Sequence, residues 1–78
     1  MQIIKRLDNS PTGAKQTLVK HNGEYYVVSE VIAMYSGLET LIFPSNSEGE
    51  VTDYCDVGGA RGEDTNVILK NWTQYFYG

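Results

Sequence analysis

His21, Cys55 and Ser29 have the side-chain types that support nucleophilic catalysis, but their spacing assembles no recognisable catalytic set. A serine or cysteine nucleophile needs a base within hydrogen-bond reach and a third group to orient that base. His21 flanks Asn22-Gly23 and is expected as a solvated turn residue. Cys55 alternates with Val51 and Val57 and is expected as a small core residue rather than a nucleophile. One Cys and one His cannot build a structural zinc site, and a single Cys cannot close an internal disulfide. The expectation is a chain that is not an enzyme and uses no cofactor or metal.

Three local patterns resemble known sites without matching them. Gly58-Gly59-Ala60-Arg61-Gly62 precedes a helical pattern, as phosphate-binding loops do, but has no Lys-Ser/Thr pair and no G-x-G-x-x-G order. Glu63 and Asp64 would repel a phosphate there, so a flexible connector is expected. Ser45-Asn46-Ser47-Glu48-Gly49-Glu50 has oxygen-bearing residues before a glycine, yet Pro44 stands where a calcium loop needs its first Asp. A plain polar turn is the expectation. Asn71-Trp72-Thr73 fits the N-glycosylation pattern, but Met1 to Pro11 lacks the apolar core of a secretory signal.

The elements that would position these residues follow from periodicity. Strands are expected over 2–7, 16–21, 25–34, 39–43 and 51–57. Asn9 to Gly13 reads as a turn or loop, and Asn22-Gly23 as a type I′ hairpin turn. The strand from Tyr25 carries apolar residues on both faces, with Val27 and Val31 on one and Val28, Ile32 and Met34 on the other. That pattern predicts a central strand. Glu30 interrupts it, either as a residue near the strand end or as a functional carboxylate. Pro44 is expected to end the fourth strand. After the capping residues Glu63-Asp64-Thr65, a helix of about three turns is expected. Ile68, Leu69, Trp72, Tyr75 and Phe76 form its apolar stripe. The predicted architecture is an α+β fold: an antiparallel sheet of four to five strands packed against one C-terminal helix, in a single small domain spanning 1–78.

The chain has 78 residues and a formal net charge of −4, unevenly distributed. Lys5, Arg6, Lys15 and Lys20 face only Asp8 within the first twenty residues. From 21 to 64 nine acids accompany Arg61 alone. Such a surface disfavours direct nucleic-acid binding and either simply solvates the protein or steers it to a basic partner. No apolar run is long enough for a membrane helix, so a soluble chain is expected.

The middle of the chain resembles small accessory proteins encoded by tailed bacteriophages. The resemblance rests on Tyr26-Val27-Val28-Ser29-Glu30-Val31, Gly37-Leu38-Glu39-Thr40-Leu41-Ile42-Phe43-Pro44 and Gly49-Glu50-Val51-Thr52-Asp53-Tyr54. It covers residues 24–64; Tyr54 stands where relatives often have Trp, and the first strand and the aromatic tail lie outside it. What it implies is context, namely expression in a bacterial cytoplasm, rather than a reaction. The leading expectation is a non-enzymatic protein that binds and modulates a host protein with a basic surface, one that handles nucleic acid or acts in defence. Glu48, Glu50, Asp53, Asp56, Glu63 and Asp64 would meet that surface, with Arg61 and Tyr77 as further contacts. The alternatives are a self-assembling or structural phage protein, with homo-oligomers, and a binder of a small ligand or nucleotide at Gly58 to Gly62.

Overall fold

Asn22 and Gly23 both adopt positive φ, 51° and 81°, the pair of conformations that a two-residue type I′ turn requires. The turn joins β2 (Lys15–His21) to β3 (Glu24–Ala33), whose register runs from His21↔Glu24 to Lys15↔Glu30. β1 (Gln2–Leu7) flanks β2, β4 (Gly37–Ser45) flanks β3, and β5 (Gly58–Arg61) flanks β4. The result is a five-stranded antiparallel sheet in chain order. Two short helices follow, α1 (Thr65–Lys70) and α2 (Trp72–Tyr75). This is the expected α+β fold, seen in a computed structural model that describes residues 1–7, 15–35 and 37–77. The expected turn at Asn9 to Gly13 lies outside the described residues.

Both faces of the sheet centre are buried. Val19, Val28 and Ile42 share one face and form the main core with Ile68 and Trp72; Leu69, Tyr75 and Phe76 pack against them. The predicted stripe therefore points inward in full. Register-paired residues share a face, so Leu18, Val27 and Phe43 occupy the other face. Leu18 and Val27 are fully buried there. The segment after β4 folds across this second face. Its Gly49 sits directly against the Leu7 side chain of β1, and Tyr54 meets the Phe43 ring at 5.7 Å. Each fully buried aliphatic side chain contributes about 1.5–3 kcal/mol relative to exposure, so the two-sided burial of β3 anchors the whole fold.

The secondary structure departs from expectation in four places, each with a local cause. Val51–Val57 is not a strand; only Val51 bridges back, to Ser45. Asn46 Oδ1 accepts from the backbone N–H groups of Glu48 and Glu50, and Asp53 Oδ1 accepts from that of Cys55. These side-chain bonds replace ladder bonds. Consequently Cys55 is exposed rather than part of the core.

Gly58 to Gly62 is not a flexible loop, because Gly58–Arg61 is β5 itself. A Cβ at Gly58 would strike the Tyr75 carbonyl oxygen, and one at Gly59 the Thr40 carbonyl oxygen. The glycines are there for close backbone approach.

β4 continues through Pro44, which pairs with Tyr26. The Pro44 carbonyl faces away from β3 and accepts from Thr52 N–H at 2.9 Å. Its ring nitrogen faces the same way, so no β3–β4 ladder bond is lost.

The helical segment breaks at Asn71 (φ −120°), whose side-chain amide donates to the Val67 carbonyl. The single helix of the sequence reading is thus two short pieces that keep one apolar face.

Candidate interaction surface

β3 outruns the elements that cover the sheet. At Glu30 the strand meets the start of α1, where Glu30 Oε2 accepts from both the backbone N–H and the hydroxyl of Thr65, each at 2.9 Å. Glu30 lies three residues before the end of β3, at its last pairing with β2, and its carboxylate ties the sheet to the helix. Beyond it the hairpin projects into solvent. Ile32, Met34 and Tyr35 are 84%, 89% and 97% exposed, and Val31 is also exposed. The sequence reading placed Ile32 and Met34 on an apolar strand face; the structure places them on an uncovered hairpin tip. Contiguous exposed apolar residues of this kind mark interaction sites, and aromatic and Met side chains are enriched in interface cores.

The acids proposed as a partner-binding set divide into two groups. Glu48, Glu50, Asp53 and Asp56 are exposed on the segment that crosses the Leu18 face. Glu63 and Asp64 are half-buried beyond β5, at the start of the helices that pack on the opposite face. Asp64 is the N-cap of α1, its carboxylate accepting from Val67 N–H at 3.0 Å, and the Glu63 carbonyl accepts from the buried Thr40 hydroxyl. Arg61 is exposed at the end of β5, in register with Glu39. Tyr77 is exposed but not free, since its hydroxyl donates to the Gly59 carbonyl at 3.1 Å. The first four acids form a coherent segment; Glu63 and Asp64 belong to the architecture of the helix start.

Ser29 is buried on the Leu18 face, while His21 and Cys55 sit in different environments. His21 is not a solvated turn residue. Its ring is half-buried with centroids 5.6 Å from Trp72 and 5.0 Å from Phe76, in an aromatic cluster that includes Tyr26. Trp72 and Phe76 stack at 5.0 Å with an interplanar angle of 16°. The Cys55 thiol is pushed above its ordinary pKa, first by its hydrogen bond to the Asp53 carboxylate and then by that group's charge. A nucleophile needs the opposite shift. Among the described residues no three His, Cys, Asp or Glu side chains converge to hold a metal, and no helix is long and apolar enough to cross a membrane.

Comparison with protein-family models, with curated proteins and with solved structures finds no match for this chain.

Proposed function

We propose that this chain is a non-enzymatic accessory protein of the phage type that binds and modulates a protein of a bacterial host. The observation that supports this reading is the exposed apolar tip of the β3–β4 hairpin, Ile32, Met34 and Tyr35, carried by the antiparallel sheet. The tip is the anchor. The exposed acids Glu48, Glu50, Asp53 and Asp56 supply the charge that draws a basic partner and sets the salt dependence of the encounter.

The test is affinity capture of the tagged protein from nuclease-treated bacterial lysate, beside an Ile32→Asp/Met34→Asp variant and a Glu48→Lys/Glu50→Lys/Asp56→Lys variant. One stoichiometric host protein should accompany the wild type, disappear with the hairpin variant and bind more weakly to the charge variant. The substituted positions are exposed, so each surface change should move stability by no more than about 0.5 kcal/mol. Equal capture by wild type and hairpin variant, or recovery of the chain alone, overturns the reading.

Self-assembly through the same tip is the competing reading. It would show as a mass that rises with concentration in light scattering and falls to the monomer in the hairpin variant. The sheet edges give it little support. β5 is bridged by Phe76, while β1 carries a register irregularity between Ile3 and Lys5 and the charges of Lys5 and Arg6. These features oppose edge pairing.

A further inference from the structure

A cleft of about 310 Å³ opens on the helix-bearing face, between α1 and the first two strands. It lies on the face opposite the exposed acids of the segment after β4, and its Glu30 wall stands two residues before Ile32 of the hairpin tip. Its lining carries both charges: Arg6 of β1 at one side, Glu30 of β3 and Asp64 of the α1 cap at the other, and between them Lys15 of β2, the register partner of Glu30.

The acids are fixed in place by bonds they already make. Glu30 uses Oε2 for both of its bonds to Thr65, which turns its carboxylate toward α1 and leaves Oε1 unused among the described residues. Asp64 uses Oδ1 for Val67 N–H and likewise keeps Oδ2. The first turn of α1 has thus engaged its Thr65 and Val67 donors internally. Thr17, in register with Arg6, also lines the cleft. It is only 6% exposed. Ile3 and Leu69 add apolar surface.

The formal charges of Arg6, Lys15, Glu30 and Asp64 cancel, so a simple anion or cation would meet as much repulsion as attraction. A small molecule with both charges matches both walls. The volume is at the small end of the range for ligand sites, roughly 300–1,000 Å³. The geometry points to a binding site for a free α-amino acid with an apolar side chain. Its carboxylate faces Arg6, whose guanidinium supplies paired donors. Its ammonium faces Glu30 Oε1 and Asp64 Oδ2, its side chain lies on Ile3 and Leu69, and the Thr17 hydroxyl completes the polar floor. This site is independent of partner capture by the hairpin.

Backbone-amide NMR titrations of the full chain with three probes test it: L-leucine, N-acetyl-L-leucine and L-leucinamide. Leucine should give saturable shifts at Arg6, Thr17, Thr65 and Leu69. Each blocked analogue should bind about tenfold more weakly or worse, because each leaves one charged wall unanswered. Arg6→Gln, at an exposed strand position, should abolish the leucine response while leaving the rest of the spectrum unchanged. Absence of saturable shifts with leucine overturns the proposal, as does an unaltered response in Arg6→Gln. Equal binding of N-acetyl-leucine would make the cleft an anion site, and equal binding of leucinamide a cation site; either result also overturns it.

Discussion

Gly59→Ala separates a strand from a flexible loop by the sign of its effect. In a mobile connector, replacing glycine by alanine restricts the unfolded chain and raises stability by about 0.4–1 kcal/mol. In β5 the outcome is reversed. Gly59 has φ +135°, a region essentially confined to glycine, and holding a side-chain-bearing residue there costs about 1–3 kcal/mol. A Cβ would also meet the Thr40 carbonyl oxygen and the Leu41 backbone, so β5 must move away from β4 to admit it. Gly59 is buried and pairs with Leu41, so that movement exposes the core beneath. The combined cost is about 3 kcal/mol or more, comparable to the roughly 3–5 kcal/mol that one small core supplies. Gly62→Ala is the control. Its φ is +79° with nothing near the new methyl group, so only the backbone cost of about 1–2 kcal/mol applies. Urea titration followed by Trp72 fluorescence measures both, since Trp72 is buried against Phe76. Gly59→Ala should be largely unfolded at low urea, with Gly62→Ala between it and wild type. A Gly59→Ala protein as stable as wild type would refute the assignment of 58–61 as a close-packed strand.

Glu30→Ala should lower stability by about 1.5–3 kcal/mol, the range for hydrogen bonds to a charged group. A double-mutant cycle with Thr65→Val should show the two residues coupled; additive losses would mean that Glu30 does not hold α1. Cys55 should be alkylated by iodoacetamide more slowly than a free thiol at the same pH despite its exposure, because a raised pKa leaves less thiolate. Asp53→Asn should speed the reaction, and raising the pH should narrow the gap between the two proteins. Equal rates for wild type and Asp53→Asn across the pH range would count against the Asp53 contact.

Turn chemistry and helical periodicity made much of the fold legible. Asn22-Gly23 specified its own hairpin, and Ile68, Leu69, Trp72, Tyr75 and Phe76 revealed their common face even though Asn71 breaks the helix beneath them. Competition between local and ladder bonding was not legible at 51–57. There Val51, Cys55 and Val57 alternate as a strand would, while Asn46 and Asp53 draw the backbone into turns. The glycine pair at 58–59 has two physical meanings, freedom and close approach, and only the position of Thr40 and Tyr75 decides between them. The hairpin tip was missed for a related reason. Alternation in Ile32 and Met34 says which way side chains point, not whether anything lies above them. A signal was present in Glu30, a carboxylate inside an apolar strand, which marks where helix cover begins. The cleft draws Arg6, Lys15 and Glu30 from three strands, and no spacing in the sequence announces that meeting.

The chain-order meander has a consequence for how the molecule comes into being. Each strand pairs with the one that precedes it, so the sheet can extend one hairpin at a time from the tight turn at Asn22-Gly23, closing only short loops at the β2–β3 and β3–β4 steps. Loop-closure entropy is lowest for such near-neighbour contacts, and chains dominated by them fold quickly for their class. Contacts of long reach include those of His21 with Phe76, of Leu7 with Gly49 and of Glu30 with Thr65. They join regions more than thirty residues apart, so they form late and seal a sheet already largely assembled.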